Sequence, residues 1–224
     1  MLNRIARYCK NMVLPPGPKY RKIALGPAAG CVMRVDFRTQ TRTYLGLYEA
    51  ELHKHFRAMV RPGFNSFDVG GQGGYDALML AKLSGSGRVV SFECDADAVA
   101  VMRETFARNP YPIETIEAFV SNSESEGRTT LDFVADKTFT PDFMKLDVEW
   151  AELDVLRGAE KILSTRKPGL IVETHSKELE TACIELLKGH GYEPKIVDQR
   201  RWFRDRRTIA HNRWLVCEDP ALRG

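Results

Sequence analysis

Phe64-Asn-Ser-Phe-Asp-Val-Gly-Gly-Gln-Gly-Gly-Tyr-Asp-Ala-Leu78, followed a short interval later by Val89-Val-Ser-Phe-Glu93, decides the fold. The first stretch reads as a buried strand ending in Asp68, a glycine turn and the start of a helix; the second reads as another strand ending in an acid. Gly70, Gly71, Gly73 and Gly74 let the chain turn sharply and bring its backbone close to a ligand. Glu93, at the second strand's tip, is placed to accept hydrogen bonds from a ribose diol. A dinucleotide fingerprint would need a third glycine where Asp76 stands, or a second where Gln72 stands, so neither frame fits. Asp68, ahead of the glycines, would repel a pyrophosphate and suits the ammonium of a methionine-like group. The charge pattern therefore favours S-adenosylmethionine over NAD.

Outward from that motif, strands are expected at 64–69, 88–93, 113–120, 142–147, 169–174, 194–198 and 213–217. Helices are expected at 75–84, 96–108, 151–164 and 176–189. Such alternation implies an α/β domain of Rossmann-like type with a seven-stranded, mostly parallel sheet and helices on both faces. The last two strands are too close in sequence for a crossover helix, which predicts one antiparallel strand. Residues 61–224 are assigned to this domain. Residues 1–60 are expected to form an N-terminal extension: a short amphipathic helix over 1–14, a hairpin around the 26–30 turn, and a helix over 44–60, which the resemblance described below implies covers the cleft. Ligands in such sheets lie beyond the carboxyl ends of the strands, which singles out Asp68, Glu93, Asp147, Glu173 and His175.

The chain has 224 residues and a net charge of +3, too small to announce a polyanion partner for the whole molecule. Its five cysteines are scattered and contain no C-x-x-C pair, which argues against a disulfide framework or a zinc site and fits a reducing cytoplasm. No apolar run reaches the roughly 18 residues needed to span a bilayer. Arg200, Arg201, Arg204, Arg206, Arg207 and Arg213, with Trp202, Phe203 and Trp214 among them, suit a solvated hairpin, a phosphate-bearing or nucleotide-linked acceptor, or RNA.

Five blocks carry a resemblance: Leu45-Gly-Leu-Tyr-Glu49, Asp68-Val-Gly-Gly-Gln-Gly-Gly-Tyr75, Ser91-Phe-Glu93, Lys145-Leu-Asp-Val-Glu-Trp-Ala-Glu-Leu-Asp-Val-Leu-Arg-Gly-Ala159 and Pro168-Gly-Leu-Ile-Val-Glu-Thr-His175. On these the chain resembles the FkbM-type family of S-adenosylmethionine-dependent, class I methyltransferases. The chain departs from the family pattern at Gln72, at Cys94 and at Trp150, which stands where the family has glycine. The resemblance implies that Asp68 and the backbone of Gly70 and Gly71 hold the methionine end, with Gly74 completing the loop. Glu93 would then hold the ribose, and the backbone near Ala118 would flank the adenine.

Asp147 and His175 are the expected catalytic residues, His175 as a base for an alcohol acceptor. Glu49, Glu149, Trp150 and Glu173 are expected to face the acceptor. Asp147, Glu173 and His175 could instead hold Mg²⁺ or Mn²⁺. Glu152 reads as a first-turn acid that favours the helix dipole. The expected activity is O-methylation of a small-molecule hydroxyl on a sugar or secondary metabolite. Its rivals are an RNA or protein methyltransferase docking through the 200–213 hairpin, and a non-catalytic cofactor-binding partner.

Overall fold

The computed structural model describes residues 17–200 and 209–219. The helix expected over 1–14 lies outside these residues, as do Arg201, Arg204, Arg206, Arg207, Trp202 and Phe203.

The chain opens with an antiparallel hairpin, β1 (Lys19–Lys22) and β2 (Val32–Val35). Two short helices follow, α1 (Thr41–Tyr44) and α2 (His53–Met59), and then β3 (Ser66–Val69), α3 (Tyr75–Ser84), β4 (Val89–Glu93), α4 (Ala96–Phe106) and β5 (Ile113–Glu117). A two-residue pair, β6 (Phe119–Val120) with β7 (Arg128–Thr129), leads to α5 (Leu131–Lys137), β8 (Phe143–Leu146), α6 (Glu152–Arg157) and α7 (Glu160–Thr165). The remainder is β9 (Gly169–Thr174), α8 (Lys177–Gly189), β10 (Lys195–Val197) and β11 (Arg213–Cys217).

Seven strands form the main sheet in the order β10-β11-β9-β8-β3-β4-β5. β11 runs antiparallel to both of its neighbours, and the five strands from β9 to β5 are parallel. The expected sheet is therefore the observed one. Strand alternation sorts its side chains onto two faces. Phe67, Val69, Val90, Phe92, Met144, Leu146, Leu170 and Val172 pack into one core with α6, α7 and α8. Val89, Phe143, Ile171, Trp214 and Val216 pack into the other, beneath the hairpin, α2 and α3. Asp68 pairs in register with Ser91 and Lys145, and Glu173 with Trp214. All five lie on the second face, so a polar band crosses an otherwise apolar layer.

Three expectations are corrected. The helix expected over 44–60 is broken between α1 and α2. Gly46 has φ +60°, and a Cβ there would stand 2.1 Å from the Leu25 carbonyl oxygen, because the segment packs against the hairpin turn. The helix expected over 151–164 is two helices. The Asp132 carboxylate accepts from the backbone N–H groups of Lys161 (2.8 Å) and Ile162 (2.9 Å) and starts α7 afresh. Helix α5 was not expected at all; Thr130 caps it by accepting from Phe133 N–H at 3.2 Å. The four described cysteines are free thiols. Among the described residues no helix is long and apolar enough to cross a membrane.

Candidate active site

Beyond the tips of β3, β4 and β8 lies a cavity of about 600 Å³, a size suited to a ligand of several hundred daltons. Its walls include Val69, Phe92, Ala98, Val101, Phe119 and Val120, with Gly70, Gln72, Glu93, Ala118, Asp147 and Glu149 supplying polar edges. Gly70 has φ +88°, and a Cβ on it would meet the Asp147 carbonyl oxygen at 1.8 Å. The glycine thus lets the β3 loop and the end of β8 close on each other, as the loop's composition requires. Glu93 braces that loop. One carboxylate oxygen accepts from Gln72 N–H (2.9 Å), the other from Cys94 N–H (2.7 Å) and Asp95 N–H (2.9 Å).

Of the six residues expected at the cofactor, Gly70, Glu93 and Ala118 line the cavity, whereas Asp68, Gly71 and Gly74 do not. Asp68 is 1% exposed and accepts from Ser91 Oγ at 2.6 Å. Burial is the main cause that raises its pKa, to about 6, against the lowering effect of Ser91 and Lys145. Its folded pKa exceeds the unfolded one, so folding favours the neutral acid. That contribution is fully present below about pH 4 and is lost as the pH rises through 6. Asp68→Asn is therefore expected to be more stable than wild type at pH 7, by about 1–3 kcal/mol, with the gap closing at pH 4. Urea denaturation at the two pH values reads the difference.

Next to the cavity is a cluster of ionisable groups. Lys145 is fully buried, with its Nζ 3.5 Å from Asp76, 3.5 Å from Asp147 and 4.0 Å from Glu173. Burial acts to lower its pKa, but Asp147, Glu49, Asp76 and Glu173 outweigh burial and hold it well above the usual lysine value. Glu49, expected in the cleft, is only 2% exposed and belongs to this buried group.

His175 is buried. Its Nδ1 is bonded to Glu152, and its Nε2 lies 3.6 Å from Asp147 Oδ1 and 3.5 Å from Glu173 Oε1. Glu173 in turn accepts from Asn212 Nδ2 and from Trp214 Nε1 (2.9 Å). Burial lowers the His175 pKa, yet the hydrogen bonds to Glu152 and Glu173 and the charge of Asp147 prevail and raise it to about 10. Lys145 offsets Asp147 and Glu173 only in part, so the imidazole holds its proton tightly and is a poor base unless a further cation joins them. Glu152, read from sequence as a helix-dipole acid, is instead wholly buried and fixes the orientation of His175. Ser176, not His175, caps α8.

Glu149 and Trp150 are both exposed, and Glu149 lines the cavity while Trp150 does not. The structure thus brings Asp147, Glu173 and His175 together, with one donor atom from each lying within 4.8 Å of the others. Asp147 alone belongs to both the cluster and the cavity.

A family model described as a methyltransferase FkbM domain matches residues 127–194, which span β8, the 145–159 block and β9. Over those residues the chain is similar to FkbM-type methyltransferases. It is an S-adenosylmethionine-dependent methyltransferase, and the cofactor's adenosyl group suits a cavity of this size at the strand tips. Solved structures share the fold of this chain. The methyltransferase FkbM from Methylobacillus flagellatus matches with TM-score 0.58 and 15% identity, over 96% of this chain and 59% of that one. An O-methyltransferase from Thermotoga maritima matches with TM-score 0.55 and 12% identity, over 76% of this chain and 65% of that one. The Aeropyrum pernix fibrillarin, solved with natively bound S-adenosylmethionine, matches with TM-score 0.54 and 17% identity, over 70% of this chain and 67% of that one. No curated protein sequence matches the chain significantly.

Proposed function

We propose that this enzyme methylates a hydroxyl oxygen of a small, uncharged molecule beside a divalent cation held by Asp147, Glu173 and His175. The observation that carries the reading is the double membership of Asp147. It lines the cofactor cavity and also contributes to the three-residue donor set. A hydroxyl placed there would meet the methyl donor and the groups that favour its deprotonation at one point.

The donor set fits a cation on chemical grounds. Two carboxylates and an imidazole are acceptable ligands for Mg²⁺ or Mn²⁺. Glu152 holds His175 Nδ1 and so presents Nε2 to the other two residues, which is how outer carboxylates orient a ligating histidine. Asn212 and Trp214 orient Glu173 in the same way. A bound divalent cation would supply the positive charge that favours loss of the hydroxyl proton. It would also oppose protonation of His175, which three carboxylates now enforce.

The chain's own part is alignment. Methyl transfer from a sulfonium is an in-line displacement, so rate depends on holding donor and oxygen a few ångströms apart in a site closed to water. Glu93 would bind the ribose at the rim, the Gly70 and Gln72 backbone the methionine end, and the region of Ala118 and Phe119 the adenine. Asp68 would act from beneath through Ser91 and the loop, without touching the ligand. The two arginines of the 200–213 segment among the described residues are engaged by acids: Arg200 pairs with Glu51 at 3.3 Å, and Arg213 with Glu180 and Asp198.

Transfer of a labelled methyl group to a panel of neutral hydroxyl compounds, with Mg²⁺ or with EDTA, tests the reading. Loss of transfer in EDTA and recovery on adding Mg²⁺ are expected. Transfer confined to RNA or protein, or indifference to EDTA, would count against it. Glu93→Ala should weaken S-adenosylhomocysteine binding by about 1–3 kcal/mol by calorimetry; unaltered affinity would place the ribose elsewhere. Glu152→Gln should lower affinity for Mn²⁺ by about 10–100-fold while leaving S-adenosylhomocysteine affinity unchanged.

A further inference from the structure

Trp150 combines two features that burial or packing does not explain. Its backbone is in the left-handed region, with φ +75°, where an L side chain is strained and glycine is not. Its indole is 57% exposed, so little of that ring's apolar surface is recovered by folding. The indole nevertheless has a defined place. Its ring centroid lies 6.4 Å from that of His175, at an interplanar angle of 43°. The turn that carries it closes by a 3.1 Å hydrogen bond from Ala151 N–H to the Val148 carbonyl. On one side of the turn β8 ends beside Asp147, and on the other α6 starts with Glu152, the partner of His175. Strain retained at a surface position beside a site is a recognised mark of a functional demand.

We infer that Trp150 is a specificity-determining residue: its indole face is a platform on which a neutral, hydroxyl-bearing ring stacks while one of its hydroxyls enters the Asp147–His175 site. The inference rests on the methyltransferase reading above and adds the shape and charge of the acceptor. Charge selects the class from both sides. With one divalent cation bound, Asp147, Glu149, Glu152 and Glu173 still leave the site negative, so phosphorylated acceptors are disfavoured. A cationic acceptor would have to approach a sulfonium closely and is disfavoured by the same law. A neutral ring avoids both penalties, offers hydroxyls to the carboxylates, and presents a C–H face to the indole, an amphipathic surface well suited to it.

The test uses full-length protein saturated with S-adenosylhomocysteine, in the presence of Mg²⁺, as wild type, Trp150→Phe and Trp150→Gly. Binding of neutral methyl pyranosides is followed by saturation-transfer NMR, with glucose 6-phosphate as the anionic control. The pyranosides should bind wild type and W150F, weaken at least fivefold in W150G, and outcompete glucose 6-phosphate throughout. Glycine accepts the backbone conformation, so W150G should also melt about 2–4 °C higher than wild type. Pyranoside binding that is absent in wild type, or equal in W150G, overturns the inference, as does preference for the phosphate. A melting temperature several degrees lower in W150G would show a packing role and overturn it too. Failure of S-adenosylhomocysteine to bind wild type would instead strike the methyltransferase reading itself.

Discussion

Lys145→Met should cost the protein about 3–5 kcal/mol of stability at pH 7. The lysine is 1% exposed and faces Asp76, Asp147 and Glu173 within 4.0 Å. Methionine fills a similar volume, so the loss would come from charge: carboxylates left without a cation in a buried layer. Asp76 already has its pKa raised well above the usual value by burial, and loss of Lys145, which pulls it down, would raise it further. The deficit should therefore shrink on acidification as those carboxylates take up protons. In wild type the lysine's folded pKa exceeds its unfolded one, so its contribution is complete at neutral pH and fades only in strong alkali. Urea denaturation of both proteins at pH 5 and pH 7 measures this. A deficit that is equal at the two pH values would show that shape, not charge, is what Lys145 supplies.

Gly70→Ala should be the second large effect. The new methyl would stand 1.8 Å from the Asp147 carbonyl oxygen, at a backbone φ of +88° that alanine disfavours. Strain and forced separation of the loop from β8 together should cost about 2–5 kcal/mol. The same displacement would move Asp147 and the Gln72 N–H that Glu93 accepts from, so affinity for S-adenosylhomocysteine should fall at least tenfold. Gly85→Ala is the control: its φ of +69° is also left-handed, but a Cβ there meets nothing within 4 Å. Calorimetry should show full affinity in the Gly85 variant. Equal losses in the two would mean that backbone strain alone, rather than contact with β8, is responsible.

The parallel sheet was legible because its signals are local. Each strand is a short apolar run, each helix follows at a short interval, and an acid marks each functional tip. Asp147, Glu173 and His175 were found together for that reason, since strand order brings the ends of β8 and β9 side by side. What escaped depends on rotation and packing. Glu152 looks like any first-turn acid until α6 is turned to point it at His175. Lys145 sits inside a quoted motif, yet nothing in the sequence tells a buried strand lysine from one whose ammonium reaches water. The charge pattern points Asp68 at the ligand, and strand alternation alone does not say how deeply it sits: it is buried opposite Ser91, outside the lining of the cavity. The break between α1 and α2 needed knowledge that the hairpin turn presses on Gly46, a contact between segments some twenty residues apart.

Because β11 is inserted between β9 and β10, the donors that orient Glu173 leave the ribosome well after Glu173 itself. Asn212 and Trp214 follow it by 39 and 41 positions. A chain still emerging from the ribosome can lay down its glycine loop and the cavity beyond β3, β4 and β8 while the Asp147–Glu173–His175 group still lacks those two donors. On the proposed reading, competence to hold a cofactor and competence to use it should therefore mature at different moments, the second only once β11 has threaded between its neighbours.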